Sequence, residues 1–202
     1  MRKFFILLMV IASMGMTACS SSLMQPVRPA DMNKLNEPVK SNETVIVFFR
    51  SSFFGGAVQA PIIEVSEDGK MSFVAIMSSG TKYLHRTTPG KHLYVVGGES
   101  SELLEANMER GKTYYTYISP RLGFMKARFV FVPVPDTADK SFIKDLASCN
   151  WVLSTPGGEK WFQDNLKSLQ SKATEALKEY QEAKPERRKT IKPEYGTNTP
   201  VR

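Results

Sequence analysis

The chain has 202 residues, of which 42% are hydrophobic and 23% charged, and its formal net charge is +7 at pH 7. This length suits about one domain, and this composition excludes a wholly disordered chain. Because there are only 2 cysteines and 2 histidines, a multi-cysteine zinc framework and a disulfide-dense scaffold are excluded as well.

The first residues have the layout of a secretory signal. Arg2 and Lys3 precede an uncharged, mostly apolar run from Phe4 to Met16, and small residues follow that run. A retained membrane-spanning helix is the alternative, but the second half of the uncharged stretch is rich in small polar residues. A spanning helix needs about 20 predominantly apolar residues, so the pattern favours a cleaved signal.

The run Met16-Thr17-Ala18-Cys19 resembles a bacterial lipobox. The resemblance implies a lipoprotein signal peptide over residues 1–18, cleavage between Ala18 and Cys19, and lipid attached to Cys19. Similarity to the sorting rules of enteric bacteria implies that Ser20 directs the protein to the outer membrane, facing the periplasm. The alternative is that Cys19 is merely a small residue near an ordinary cleavage site.

The residues after the signal divide into two segments of different charge. Residues 184–202 carry a net charge of +4, whereas residues 19–183 carry only +1. We expect the terminal segment to be a basic, disordered tail, with contact to anionic lipid or cell-wall polymer as the alternative. Because the body of the chain is nearly neutral, no nucleic-acid partner is expected.

Residues 19–43 contain few large apolar side chains and three prolines, Pro26, Pro29 and Pro38. The composition predicts a flexible tether. A coil of this length spans roughly 25–30 Å, which would hold a domain clear of the bilayer.

Residues 44–134 predict a β-sandwich domain, because short segments rich in β-branched and aromatic residues recur about every ten residues. The Asp68-Gly69 pair favours a tight hairpin, and Pro89-Gly90 favours a type II turn that would pair the strands on either side. The predicted strands are Thr44–Arg50, Ile62–Val65, Met71–Ile76, Thr81–Thr87, Lys91–Gly97, Glu102–Met108, Thr113–Ser119 and Ala127–Val134.

Two of these strands are apolar on both faces, over residues 45–49 and 129–132, so we expect a further element to cover one sheet. Residues 135–183 are the expected cover, a helical extension with a short helix over 139–148 and a long amphipathic one over 159–183. The long helix would pack on the sheet or pair with a second copy as a coiled coil. Its apolar stripe consists of Phe162, Leu166, Leu169, Ala173, Ala176 and Tyr180.

Four short motifs carry a resemblance to a known family. They are Phe48-Phe49-Arg50, Phe53-Phe54-Gly55-Gly56, Pro89-Gly90-Lys91-His92 and Gly111-Lys112-Thr113-Tyr114-Tyr115. This region resembles the bacterial lipoprotein domain of unknown function whose core is similar to PEGA-type β-domains, with a PGKH turn and a GKTYY strand entry. The resemblance implies an immunoglobulin-like or transthyretin-like sandwich and an envelope location, and it implies no known reaction.

The histidines and the remaining cysteine give little support for catalysis. If Pro89-Gly90 closes a two-residue turn, His85 lies diagonal to His92 on one hairpin face, about 7–8 Å away. Without a third ligand at a nearby spacing, we expect no metal site. Cys149 has apolar flanks that predict burial. A disulfide between two copies and a nucleophile are its alternatives, and a nucleophile requires a partnered base.

The aromatic loop Phe53-Phe54-Gly55-Gly56 is the predicted partner-contact surface, the alternative being that one of the two adjacent rings points into the core. Tyr114, Tyr115 and Tyr117 are expected to pack within the strands, a carbohydrate platform being the alternative. Glu99, Glu102 and Glu105 are expected to form a solvated acidic rim, although paired carboxylates can serve glycoside hydrolysis.

The sequence thus predicts a lipid-anchored periplasmic lipoprotein that is not an enzyme, with no catalytic residues and no cofactor. Its partners would be the membrane, through the N-terminal lipid, and an envelope protein or peptidoglycan, while the oligomeric state stays open. An accessory lipoprotein of a multiprotein envelope or secretion assembly is the alternative function, and a cell-wall hydrolase is a third hypothesis.

Overall fold

The structure, a computed structural model, describes residues 22–54, 56–66, 68–123 and 127–200. The strands in these ranges are β1 (Met24–Pro26), β2 (Thr44–Arg50), β3 (Ala60–Val65), β4 (Met71–Met77), β5 (Thr81–Thr87), β6 (Gly90–Val96), β7 (Glu102–Met108), β8 (Thr113–Leu122), β9 (Ala127–Pro133), β10 (Asn150–Ser154) and β11 (Lys189–Ile191). The α-helices are α1 (Met32–Asn36), α2 (Lys140–Ala147), α3 (Pro156–Asp164) and α4 (Leu166–Glu182).

The fold is mixed α/β and consists mainly of strands, in two open sheets packed together like a sandwich. The six-stranded sheet has the order β1-β10-β5-β2-β8-β9, and the five-stranded sheet has the order β11-β7-β6-β3-β4. Most neighbours are antiparallel, but β2 with β8, β5 with β10 and β7 with β11 run parallel. All eight strands predicted between residues 44 and 134 are present, with ends that differ by at most three residues.

Helices cover the outer faces of both sheets. Strand β2 is therefore buried on both of its faces. Phe48 points into the core between the sheets, where it contacts Tyr94 and Phe131. Its neighbour Phe49 points outward and packs against Phe142 of α2. Helices α3 and α4 lie on the opposite side, against the five-stranded sheet. The cover over β2 is therefore α2 and not the long C-terminal pattern.

The predicted helix over 159–183 is two helices that meet at Asn165. The backbone of Asn165 has φ −107° and ψ 6°, and its side-chain amide donates to the carbonyl of Trp161 at 2.8 Å. The interruption leaves Leu166 40% exposed, although it belongs to the predicted stripe. Four other stripe residues are buried against the sheet, which confirms packing within the chain: Phe162, Leu169, Ala173 and Ala176.

The described part of the expected tether, from Ser22 onward, is folded onto the domain. Strand β1 pairs with β10, from Met24 opposite Ser154 to Pro26 opposite Val152. The chain before it packs against α3, where a Cβ on Gly158 would lie 2.5 Å from the carbonyl oxygen of Leu23. A three-residue strand has no detectable period, so the sequence pattern could not predict it.

The expected disordered tail also contributes to the sandwich. Strand β11 adds a parallel edge to β7, and its Ile191 is completely buried. Beyond it, Thr197 bridges to Thr113, and the Tyr114 hydroxyl donates to the carbonyl of Pro193 at 3.2 Å. The prediction of a disordered tail was wrong, because one isoleucine among basic residues is too weak a pattern to indicate a strand.

Candidate functional site

The aromatic loop between β2 and β3 is held by a buried arginine. Arg50 ends β2 and is 0% exposed. Its Nη1 donates to the carbonyls of Val58 at 2.7 Å and Met77 at 3.2 Å, and its Nη2 donates to the carbonyl of Phe54 at 3.3 Å. Since charged donors make the stronger hydrogen bonds, one planar guanidinium fixes both ends of the loop.

The loop presents its aromatic side chains to solvent. Phe53 is 88% exposed and Phe54 is 50% exposed. A turn supports them, in which the backbone N–H of Gly56 donates to the carbonyl of Phe53 at 2.9 Å. Gly55, the remaining residue of the predicted contact motif, lies outside the described residues.

The end of the β8–β9 hairpin lies beside this loop. The Arg50 guanidinium stacks over the ring of Phe129, 4.6 Å from its centroid, and Phe129 pairs with Pro120 across the hairpin. Two residues further along β8, Leu122 is 81% exposed. We call Phe53, Phe54 and Leu122 the apolar rim. Large apolar side chains exposed together at one end of a domain are typical of a contact surface.

A groove of about 310 Å³ lies between the outer face of the six-stranded sheet and α2. Its floor includes Phe49, Tyr117 and Val132, and the Phe49 ring lies 5.3 Å from that of Tyr117. Three carboxylates line it as well, from Asp136, Asp139 and Asp145. Hydrogen bonds from Ser141 and from the backbone N–H of Phe142 lower the pKa of Asp139, so this carboxylate is ionised at neutral pH.

The two histidines do not share a hairpin face, because β5 and β6 belong to different sheets. Strand β5 pairs with β2 and β10, while β6 pairs with β3 and β7, so neither has a side left for the other. Pro89 and Gly90 carry the chain across the sandwich, with Gly90 at φ +128°. The expected diagonal pairing of His85 with His92 is therefore wrong.

Glu64 of β3 connects the histidines across the gap between the sheets. One carboxylate oxygen lies 2.5 Å from Nδ1 of His92, and the other lies 3.8 Å from Nε2 of His85. The other ring nitrogen of His92 lies 2.7 Å from the carbonyl of Thr88. A carbonyl and an ionised carboxylate only accept hydrogen bonds, so both nitrogens of His92 donate and the ring is protonated.

The protonation states of this group follow from its surroundings. Burial opposes the charge on Glu64, but the interactions with the two neighbouring histidines outweigh burial and lower the pKa of Glu64 to about 2. Burial likewise opposes the charge on His92, and the hydrogen bond to Glu64 outweighs it and raises the pKa of His92. Glu64 was not predicted as a site residue, because its only signal in the sequence is a carboxylate inside an apolar strand.

The three glutamates that were expected to form an acidic rim do not lie together. Two of them, Glu102 and Glu105, are on opposite faces of β7. Glu102 lies on the inner face of β7 and accepts the backbone N–H of Phe131 at 2.6 Å. Glu105 lies on the helix side and pairs with Lys91 at 3.3 Å, while Glu99 lies 3.9 Å from Arg128. Because alternate residues of a strand face opposite sides, Glu102 and Glu105 cannot act as a carboxylate pair.

The expected packing of the tyrosines and of Cys149 is confirmed in the main. Tyr114 and Tyr115 are 0% and 1% exposed, so they do not offer a carbohydrate platform. Cys149 is 4% exposed, and burial raises the pKa of its thiol. Beside it Lys82, which is also buried, donates to the carbonyl of Leu146 at 3.0 Å and so closes the end of α2.

Ala18 and Cys19, the predicted cleavage and lipidation residues, lie outside the described residues. In the part of the chain that the structure describes, no three His, Cys, Asp or Glu side chains are placed to hold a metal ion. In that same part, no helix is both long and apolar enough to cross a membrane.

Comparison with known proteins finds no matching family model, no matching curated protein and no matching solved structure. The resemblance to the lipoprotein domain of unknown function therefore stays a prediction.

Proposed function

We propose that this protein is a lipid-anchored lipoprotein of the bacterial cell envelope, attached through Cys19 to the outer membrane and facing the periplasm. Its role is binding or structural, and its β-rich domain carries the contact surfaces. The observation that supports this most is the order of segments at the N-terminus. A signal-like apolar run ends in Met16-Thr17-Ala18-Cys19, and Ser22, three residues later, already contacts the folded domain through the Thr155 hydroxyl.

A non-catalytic role is supported by what the candidate groups contact. Glu102 is committed to the backbone of β9, and Glu105 to Lys91. Cys149 is buried within a cluster of apolar side chains. Each group that a hydrolase would require thus already has a structural contact, so a cell-wall hydrolase is the weakest of the three hypotheses.

Inhibition of lipoprotein signal peptidase with globomycin tests the anchoring. We expect treated cells to accumulate a precursor that retains residues 1–18, and we expect the Cys19→Ala variant to leave the membrane fraction. A mature chain of unchanged size and location in both experiments would refute the anchoring. Ser21→Ala serves as the matched control, since it alters a neighbouring residue and leaves the cysteine in place.

The groove supports the accessory role in a multiprotein envelope assembly. It combines an apolar floor at Phe49 and Val132 with the carboxylates of Asp136, Asp139 and Asp145. An extended segment of an envelope protein suits this chemistry if it carries an apolar side chain next to a lysine or arginine.

Photo-crosslinking in cells from position 132 tests this second candidate. We expect one dominant protein adduct, at least about fivefold weaker when Asp136→Asn and Asp145→Asn are combined, because a buried or half-buried ion pair would be lost. A probe at the exposed Lys178 on α4 is the control. Equal adducts from both probes, or no effect of the two substitutions, would refute a partner at the groove.

We also propose that the sandwich is of the immunoglobulin-like or transthyretin-like kind, as the sequence resemblance implies. Two sheets packed face to face over an aromatic core support this. An experimental structure compared strand by strand with both folds would test it.

A further inference from the structure

A pocket of about 350 Å³ lies between the C-terminal end of α4 and the outer face of the five-stranded sheet. The side chains of Val65, Leu93 and Leu177 give it apolar walls, from β3, β6 and α4 respectively. It is separate from the groove at α2, because that groove lies on the other sheet. Ligand sites measure roughly 300–1,000 Å³ and combine apolar walls with a few polar groups, so this pocket is large enough to be one.

Arg188 lines the pocket, and its guanidinium is held in place at the end of α4. Its Nε donates to the carbonyl of Ala183 at 3.1 Å, and its Nη2 donates to the carbonyl of Gln181 at 3.1 Å. The guanidinium also stacks over the ring of Tyr180, 5.1 Å from its centroid. These contacts fix the orientation of the planar group before a ligand binds, which lowers the cost of ordering it on binding.

The charge on Arg188 is not paired with a carboxylate. In the part of the chain that the structure describes, its hydrogen bonds are to backbone carbonyls and it forms no ion pair. The other charges in and beside the pocket are paired. A carboxylate oxygen of Glu105 lies 3.3 Å from Nζ of Lys91, and one of Asp68 lies 2.9 Å from Nζ of Lys70. Among the lining residues, the positive charge of Arg188 is therefore left unbalanced.

The hydrogen-bonding capacity at the pocket favours the same kind of ligand. Burial opposes the charge on Glu105, but interactions with Asn107 and Lys91 outweigh burial and lower the pKa of this carboxylate. Glu105 is therefore ionised at neutral pH, and these neighbours already bind its oxygens. The capacity that remains is on donors, since an ammonium has three N–H groups and a guanidinium has five. A ligand that supplies acceptor oxygens suits such a pocket.

We propose that this pocket binds a small monocarboxylate with an apolar chain, of the fatty-acid class. The carboxylate binds the Arg188 guanidinium, and the chain lies against Val65, Leu93 and Leu177. A single negative charge on the ligand matches the one positive charge that is left unbalanced. The inference goes beyond the proposed function and does not depend on it, because it uses neither the lipid anchor nor the groove at α2.

Isothermal titration calorimetry with octanoate tests the pocket. The protein is residues 19–202 with the substitution Cys19→Ser, so that no attached acyl chain competes for the site. We expect saturable binding of one octanoate per chain. Octanol, which has the same chain without the charge, should bind at least about tenfold more weakly, because the charge-assisted hydrogen bonds to the guanidinium are lost. Octylamine, which carries the opposite charge, should give no measurable binding.

Substitution of the arginine separates charge recognition from the shape of the pocket. Arg188→Gln should weaken octanoate binding at least about tenfold and leave octanol binding unchanged, a difference that a merely structural role would not produce. Unchanged octanol binding also shows that the pocket is still formed in this variant. Lys178→Gln is the matched control, since it removes one positive charge from α4 at a side chain that is 74% exposed. We expect it to leave both affinities unchanged.

Four results would overturn the proposal. They are no saturable binding of octanoate, binding of octanol or octylamine as tight as that of octanoate, equal octanoate affinity in Arg188→Gln and the unmodified chain, and an equal loss in Lys178→Gln. The first two comparisons use the chain with its arginine, so they hold even if Arg188→Gln does not fold. Because the tested chain has no acylatable cysteine, failure here is distinguishable from failure of the globomycin experiment.

Discussion

At the scale of single residues, one buried and one half-buried charged side chain connect parts of the fold that are far apart in the sequence. Arg50 joins the aromatic loop to β4, and Glu64 joins two histidines from opposite sheets. Each is fully or largely enclosed, so removing it leaves polar partners without a counterpart. Loss of one member of a buried charged group costs about 3–5 kcal/mol.

The substitution Arg50→Met should destabilise the protein by about 3 kcal/mol, because the carbonyls of Phe54, Val58 and Met77 lose their charged donor. Urea denaturation measures this change, and hydrogen exchange should show faster opening of residues 52–58. Arg50→Lys should restore little, since one ammonium cannot reproduce the planar fork. Arg128→Met, at a half-exposed position, is the control, and a loss of the same size there would refute the role given to Arg50.

The Glu64–His92 pair should give the protein a defined pH dependence. The contribution of Glu64 is present above its ordinary pKa of 4.5 and is lost as the pH falls towards about 2. The contribution of His92 is fully present below its ordinary pKa of 6.5 and is lost as the pH rises past the raised pKa of the folded state. This pair therefore stabilises the fold most between pH 4.5 and 6.5.

Within that window, Glu64→Gln should lower the free energy of unfolding by about 3 kcal/mol and flatten its decline at alkaline pH. Denaturation curves across the pH range check both effects. Glu109→Gln removes a carboxylate that is 53% exposed and paired with Lys112, and it should cost less than about 1 kcal/mol. A pH profile of Glu64→Gln parallel to that of the unmodified protein would count against the pair.

At the scale of elements, the helices are placed by contacts that only a few side chains decide. Helix α2 is short, and its side chain Phe142 packs against Phe49 and Tyr115 on the outer face of the sheet. Helix α3 begins so close to the N-terminal chain that only glycine fits at residue 158. The position of β1 therefore depends on the close packing of the first turn of α3 against the N-terminal chain.

Gly158→Ala should displace Leu23, because its Cβ would lie 2.5 Å from the Leu23 carbonyl oxygen. Overpacking of this kind costs about 2 kcal/mol. Thermal unfolding measures the loss, and limited proteolysis should cut sooner near residues 22–27. Ser171→Ala on the exposed face of α4 is the control. If both variants resist protease equally, the contact between α3 and the N-terminal chain does not hold β1.

At the scale of the whole molecule, both ends of the described chain complete the sheets. Strand β1 forms one edge of the six-stranded sheet, and β11 forms one edge of the five-stranded sheet. These two segments are thus parts of the fold, although their composition is that of a linker and a tail. On the N-terminal side, three residue steps separate Cys19 from Ser22, whose carbonyl accepts the Thr155 hydroxyl.

Ile191→Ala tests whether the C-terminal segment belongs to the core. Ile191 is 0% exposed, so we expect a loss of about 3 kcal/mol from the missing apolar contacts and the cavity they leave. Chemical denaturation measures it, with the neighbouring exposed Lys192→Ala as the control. A disordered tail would give no difference between the two variants.

Local patterns in the sequence alone determined the eight strands between residues 44 and 134, the short helix near residue 140 and the exposure of the aromatic loop. Each depends on neighbouring residues, such as alternating β-branched side chains or glycines at Asp68-Gly69 and Arg110-Gly111 that adopt positive φ. The motif at Met16–Cys19 likewise depends on adjacent residues, and the proposed function begins from it.

The tertiary structure alone decided which strands share a sheet. This explains why the predicted hairpin at Pro89-Gly90, the tether and the disordered tail were wrong. Pro89-Gly90 favours a hairpin locally, but β5 and β6 each already have two neighbours, so the chain crosses to the other sheet there. That crossing sets His85 and His92 around Glu64, a group made from three separate strands. Strands β1 and β11 are too short to show a period, and they form only because long-range partners supply their hydrogen bonds and cover Ile191.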